Sequence, residues 1–149
     1  MGQDKAAAAD FTRAISHSTE PRADHFLERA QAQAISGDVN GAIQGLDEGL
    51  KRMGPLVALQ LYAIELECAR KHFDDALARL EKISTVSERK EKWLVRRGEI
   101  LLQANRRDEA KTSFAEALTA IESLPLRQRS APAMVELEKG VKGALRVGL

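Results

Sequence analysis

The sequence predicts an all-α fold, a solenoid in which helix pairs stack one after another along the chain. The first observation is a repeat with a period of 34 residues, and the positions in phase are Ala42, Ala76 and Ala110, then Leu46, Leu80 and Phe114. A fixed period of this length is typical of stacked helix pairs, in which each unit contacts only its neighbours. The second observation is that no stretch alternates apolar and polar residues as a strand does, and helix-forming residues dominate.

Size and composition restrict the class of protein further. A length of 149 residues suits one domain, and 44% hydrophobic with 30% charged residues excludes a disordered chain. No apolar run approaches the roughly 18–20 residues that a bilayer crossing requires. The net charge of +1 gives no electrostatic reason for binding nucleic acid or an anionic membrane. We therefore expect neither as a partner.

Cysteine usage and the N-terminus indicate a compartment. The single cysteine, Cys68, cannot form an internal disulfide, which is compatible with reducing surroundings. The first residues contain neither a long apolar segment nor a clear processing site, so a secretory signal is not expected. We expect a cytoplasmic protein.

The elements follow in order from residues that start or stop helices. An alanine-rich helix is predicted within residues 2–19, and Pro21 opens the next helix at its first turn, where a missing N–H costs little. Gly37-Asp38 ends that helix and begins another, since Gly adopts the left-handed conformation and Asp caps a helix N-terminus. Gly54-Pro55 repeats this stop one unit later.

Later turns use less favourable residues. Lys71 and Asn105 occupy the positions equivalent to Gly37. Asn tolerates the left-handed region better than Lys, so the turn at Lys71 is expected to cost more free energy. Ser87 is expected to cap the first helix of the third unit.

The C-terminal segment predicts one more helix. Residues 126–132 are expected to form a loop or short turn after Leu124-Pro125. The apolar residues that follow are spaced three and four apart, which predicts a helix with one apolar stripe: Met134, Leu137, Val141 and Leu145.

This pattern resembles the tetratricopeptide repeat, a helix-turn-helix unit of 34 residues. The family's large and small positions are matched in the first unit by Phe26, Ala30, Ala42, Leu46 and Gly49, and in the third by Leu94, Gly98, Ala110, Phe114 and Ala117. The second unit fits less well, with Gln60, Ile64, Ala76, Leu80 and Ile83. In the N-terminal helix, Ala7, Phe11 and Ala14 match the second helix of a repeat.

The resemblance implies a right-handed α-solenoid of about three helix pairs with an N-terminal half repeat and a C-terminal capping helix, eight helices in all. The expected units are a half repeat at 2–19, repeats at 21–54, 55–88 and 89–124, and a capping helix at 131–147. Either the chain is a fragment of a longer array, or the unpaired first helix is an N-terminal cap. Of the two we favour the fragment.

The resemblance also implies where a partner binds. In this family the first helices of the pairs line a concave face that holds extended peptides or a helix. Transferred by position, this face consists of Asp24, Leu27, Glu28 and Gln31, then Ala58, Leu61, Tyr62, Glu65 and Cys68, then Lys92, Val95, Arg96, Glu99 and Leu102. Alternatively, this face is only solvated, or the chain's own last helix fills it.

Lys92 and Arg96 form the sharpest local feature. Four residues apart, they share one helix face and could bind a carboxylate. Some family members clamp the carboxylates of chaperone tails with such a pair. That clamp also needs a Lys and two Asn, and the matching positions are Leu27, Gln31 and Tyr62, so we expect no such clamp. Neighbouring glutamates would then balance the two cations.

Arginines and lysines between Arg89 and Arg107 suggest a nucleic-acid site, but interleaved carboxylates cancel most of their charge. Only Trp93 offers a stacking ring. We expect Trp93 to pack on the preceding helix instead.

Catalysis is not expected. His17, His25 and His72 have no metal-ligand spacing with each other or with Cys68, so no metal is predicted. No phosphate-binding loop or nucleophile motif occurs, and we expect no cofactor. The sequence predicts a non-catalytic adaptor that binds a partner peptide or helix. The alternatives are a self-associating module, in which exposed Phe11 and Ile15 dock on another copy, or an accessory domain of a larger protein.

Overall fold

The fold is built from helices alone in the part of the chain described by the computed structural model, residues 2–17 and 22–147. Nine helices occur in these ranges: α1 Gly2–His17, α2 Ala23–Ile35, α3 Val39–Met53, α4 Val57–Ala69, α5 Phe73–Val86, α6 Glu91–Gln103, α7 Arg107–Glu122, α8 Leu126–Arg129 and α9 Pro132–Arg146. The predicted all-α class is confirmed.

The predicted number of eight helices is wrong, because a short helix, α8, lies in the segment expected to be a loop or short turn. The N–H groups of Gln128 and Arg129 donate to the carbonyl oxygen of Pro125 at 2.8 and 3.0 Å. These bonds close a single helical turn directly after a proline whose fixed φ suits a helix start.

The chain divides into two compact units, Met1–Arg70 with α1 to α4 and Lys71–Leu149 with α5 to α9. In the first unit α2 packs against α1, α3 and α4. The first core consists of Ile15, Phe26, Ala30, Ala42, Ile43, Leu46, Leu59, Ala63 and Leu66. The predicted exposure of Ile15 is wrong: its side chain is only 3% exposed, because α1 packs on α2 and carries Ile15 into this core.

In the second unit α6 and α7 form the most extensive helix pair, α5 packs on α6, and α9 packs on α7. The second core consists of Val95, Leu101, Ala110, Phe114, Ala117, Ile121, Met134 and Val141. The predicted apolar stripe of α9 is confirmed, since Met134 and Val141 are buried in this core while Leu137 and Leu145 pack against it.

All four residues at the predicted turns have a positive φ, which an L side chain rarely adopts. Gly37 has φ +89° and Gly54 φ +88°, while Lys71 and Asn105 have φ +62° and +60°. Asp38 caps α3, as predicted, because its carboxylate accepts a hydrogen bond of 2.9 Å from an N–H in the first turn. The predicted role of Pro21 lies outside the described residues.

The predicted cap at Ser87 is wrong. Helix α6 begins at Glu91 with Lys90 in the N-cap position, and no side chain caps it. The Ser87 hydroxyl instead donates to the carbonyl oxygen of Arg89 at 3.0 Å, within the connection before the helix.

Short residues bring paired helices together where the period places them. Ala42, Ala76 and Ala110 are all completely buried. In the α6–α7 pair, a Cβ atom added to Gly98 would lie 2.7 Å from Cζ of Phe114, so the ring packs directly on the glycine backbone. The division of the chain into repeats at the predicted boundaries stays a prediction.

Candidate partner-binding site

The residues predicted to bind a partner lie on α2 and α4 of the first unit and on α6 of the second. Seven of their side chains are exposed, namely Asp24, Glu28, Gln31, Ala58, Glu65, Lys92 and Glu99. Six are half-buried, namely Leu27, Leu61, Tyr62, Cys68, Arg96 and Leu102. Val95 is buried at 8% exposure and belongs to the second core.

The half-buried side chains of the predicted face in the first unit differ in whether they also pack against the core. Leu27 and Tyr62 pack against the first core, so each supports the fold as well as reaching the surface. Leu61 is half-buried and does not belong to that core, so its apolar surface can contact a partner without also supporting the core. Burial, and secondly the negative charge of Glu65, raise the pKa of the Tyr62 hydroxyl, which stays neutral and able to donate a hydrogen bond at pH 7.

Arg29 joins α2 to α3 and was not predicted to have a role. Its side chain is 7% exposed and its Nη2 donates to the carbonyl oxygen of Gly45 at 3.2 Å and to Glu48 at 2.8 Å. The guanidinium also lies over the ring of Phe26, 5.4 Å from its centroid. The available signal was Gly45, whose missing side chain leaves room for a guanidinium between the helices.

On the second unit the Lys92–Arg96 pair is partly neutralised. Arg96 Nη1 donates to Glu99 Oε2 at 3.0 Å, one turn further along α6. Lys92 is exposed beside it. This agrees with the expectation that a glutamate balances the pair, and it leaves Lys92 as the cation most accessible to a ligand carboxylate.

A groove of about 540 Å³ lies between α6 and α9, within the second unit. Its lining residues are Val95, Glu99 and Leu102 from α6, Phe114 from α7, and Ala133, Glu136, Leu137, Gly140, Val141 and Ala144 from α9. Three of the predicted α6 residues therefore share one groove. The last helix forms the opposite wall of this groove.

The α9 side of the groove was missed in the sequence. Glu136 is not one of the four residues of the predicted apolar stripe, yet it lines the groove beside Leu137. The spacing of Ala133, Leu137 and Ala144 was visible as a helix face. Nothing local showed that this face would oppose α6, because that depends on how α9 packs on α7.

A separate cavity of about 180 Å³ lies between α5 and α6. Leu77, Leu80, Trp93 and Leu94 contribute its apolar lining, and Lys90 and Arg97 supply cations. Trp93 is half-buried, with its indole N–H buried and without a hydrogen-bond partner. Its position beside residues of α5 agrees with the expectation that it packs on the preceding helix.

Four of the seven basic residues between Arg89 and Arg107 form ion pairs with carboxylates. The ion pairs are Arg89–Glu91, Arg96–Glu99, Arg97–Glu116 and Arg106 with both Glu109 and Asp74. Hydrogen bonds to Glu109 come first among the causes that raise the pKa of Arg106, and the same bonds lower the pKa of Glu109. The positive charge of this segment is therefore largely compensated.

Among the described residues no helix is both long and apolar enough to cross a bilayer.

Comparison with known proteins identifies the fold. The family model for the tetratricopeptide repeat-like domain matches residues 2–131. No curated protein matches the chain.

A solved structure titled MamA MSR-1 C2 is similar, with a TM-score of 0.56. It covers 99% of this chain and 90% of that one at 15% sequence identity, a likeness that concerns the fold alone. The match of the family model over most of the sequence has a direct consequence: the chain belongs to the tetratricopeptide repeat-like family.

Proposed function

We propose that this protein is a non-catalytic interaction module that binds a segment of a partner protein, a peptide or a helix, on the exposed faces of α2, α4 and α6. The observation that carries the proposal is the accessibility of the side chains on these faces. Thirteen of the fourteen residues predicted to line the partner-binding face are exposed or half-buried. The family is typically an interaction fold, which supports the same conclusion.

The predicted faces of the two units, each taken by itself, offer apolar anchors or charges that orient a ligand. Leu61 and Tyr62 offer apolar area on α4, and the Tyr62 hydroxyl adds a hydrogen-bond donor. Exposed Asp24, Glu65 and Lys92 present charges of both signs. Because the helices are held by their cores before binding, the partner bears most of the cost of ordering.

The proposal includes the predicted repeat boundaries, a cytoplasmic location and the absence of a cofactor. The alternative is self-association, and the observation that favours it is Phe11, which stays half-exposed on α1. Sedimentation of a dilution series separates the two functions. A module that binds another protein keeps one sedimentation coefficient at all concentrations, whereas a self-associating module sediments faster as concentration rises.

The test is affinity capture from native lysate, followed by quantification of the captured proteins. The variants are Leu61→Ala on α4 and the pair Lys92→Glu with Arg96→Glu on α6. Matched controls reverse two exposed lysines on second helices, Lys82 on α5 and Lys111 on α7. Partners that depend on the first-helix faces are lost with the former variants and retained with the controls. Equal capture by all variants contradicts the proposal.

A further inference from the structure

We propose that the groove between α6 and α9 binds a cationic amphipathic helix of a partner protein. This inference rests on the proposed function, extends its surface to α9 and names the chemical class of the partner. It follows from the shape of the groove, the charge of its lining and the backbone of its walls.

The shape fits the side chains of a helix. At about 540 Å³ the groove lies within the roughly 300–1,000 Å³ of ligand-binding pockets and holds several side chains at once. Its apolar lining includes Leu102, Phe114 and Leu137. On the α9 side Ala133, Gly140 and Ala144 are short, and a Cβ atom on Gly140 would meet nothing within 4 Å. A partner helix can therefore approach α9 closely.

The charge of the lining selects a basic partner. Glu99 and Glu136 are the charged residues among those that line the groove; Arg96 balances part of the charge of Glu99, so Glu136 supplies most of the negative charge. Glu136 has no ion pair within the described ranges, and Glu99 accepts one bond, from Arg96, through Oε2. Lys or Arg residues flanking an apolar stripe would meet both carboxylates, while an acidic partner would be repelled.

Main-chain recognition does not suit this groove, because both walls are α-helices whose backbone N–H and C=O groups bond internally. A partner that adds a strand needs a free strand edge, which these walls do not provide. Recognition must use side chains, and a helix presents apolar residues at spacings of three and four on one face. Such a face matches the apolar floor with acidic flanks.

The probe is a fluorescein-labelled synthetic helix with a leucine stripe flanked by lysines, and its charge-swapped counterpart carries glutamates instead. The critical variant is Gly140→Phe, which fills the groove. Its matched control is Gly143→Phe on the same helix, where a Cβ atom also meets nothing within 4 Å but the site lines a different concavity, with Val135 and Lys139. Fluorescence anisotropy measures binding, and circular dichroism checks that each variant folds.

The lysine peptide should bind wild type and the Gly143→Phe variant equally. It should bind the Gly140→Phe variant at least about tenfold more weakly, a change of about 1.4 kcal/mol or more. Replacing Glu99 and Glu136 together by Gln should weaken binding severalfold and flatten its salt dependence. The glutamate peptide should not bind. If Gly140→Phe fails to fold, Gly140→Leu provides the same comparison.

The inference is overturned if both peptides bind alike, if neither binds at millimolar concentration, or if the Gly143→Phe and Gly140→Phe variants lose binding equally. None of these results bears on the capture experiment with the Leu61→Ala variant, because that variant tests the face of α4 in the other unit. Conversely, loss of the difference between capture variants and their controls overturns the proposed function and leaves the peptide result standing.

Discussion

Replacing Gly98 by Ala tests whether the α6–α7 pair depends on a residue without a side chain. An added Cβ would lie 2.7, 2.8 and 2.9 Å from three ring atoms of Phe114, Cζ, Cε1 and Cε2. Carbon atoms prefer separations of about 3.5 Å or more, so the ring must move by roughly 0.8 Å. The ring is only 3% exposed and belongs to the second core, which leaves it little room to move.

Two effects of opposite sign decide the magnitude. Overpacking a core costs about 1–3 kcal/mol, whereas replacing Gly by Ala inside a helix gains about 0.8–1 kcal/mol. Gly140→Ala on α9 isolates the second effect, because its Cβ would meet nothing within 4 Å. We expect Gly98→Ala to be less stable than Gly140→Ala by about 1–3 kcal/mol.

Urea denaturation followed by circular dichroism at 222 nm measures the difference, since both glycines lie in the same compact unit. Phe114→Leu provides a second check. It should cost less free energy in the Gly98→Ala background than in wild type, because the smaller side chain relieves the contact. Equal stability of Gly98→Ala and Gly140→Ala, or a more stable Gly98→Ala, would refute the reasoning.

Three further predictions concern a turn and two titrating groups. Lys71→Gly should stabilise the chain by about 1 kcal/mol in urea denaturation, since φ is +62°, and Asn105→Gly should gain less; an equal gain contradicts this. The absorbance titration of Tyr62, the single tyrosine, should have its midpoint above 10.0, because burial raises the pKa of its hydroxyl. The free energy of unfolding should then fall as the pH rises above 10, and a midpoint at or below 10 would contradict this prediction. Hydrogen bonds from Arg129 and, secondly, from Lys142 lower the pKa of Glu138 to about 2, so the contribution of Glu138 to stability is complete above pH 4.5 and is lost towards pH 2. Glu138→Gln should therefore make the free energy of unfolding less dependent on pH in acid, and an unchanged dependence would contradict this prediction.

Features set by local chemistry were predictable from the sequence. The left-handed turns at Gly37 and Asn105 follow from single residues at fixed places in the period. The resemblance to the repeat family assigned Gly98 to a small position and Phe114 to a large one, and the structure places the two in contact. These predictions need no knowledge of how distant elements pack.

Features set by long-range packing were not predictable. Ile15 was expected to be exposed, but its burial depends on α1 packing against α2. The burial of Arg29 on α2 is favourable only because Glu48 on α3 accepts a hydrogen bond from its guanidinium. The groove likewise depends on α9 folding back on α7, which places Glu136 opposite α6. In each case the decisive neighbour lies on another helix.

Photo-crosslinking tests the central claim, that a partner contacts the first helices of the pairs, most directly. A benzophenone amino acid at Leu61 on α4 is compared with one at Gln44, an exposed position on α3, a second helix of the same unit. The claim predicts that captured partner protein crosslinks at position 61 and not at position 44. Crosslinking at position 44 alone, or equally at both positions, would contradict it.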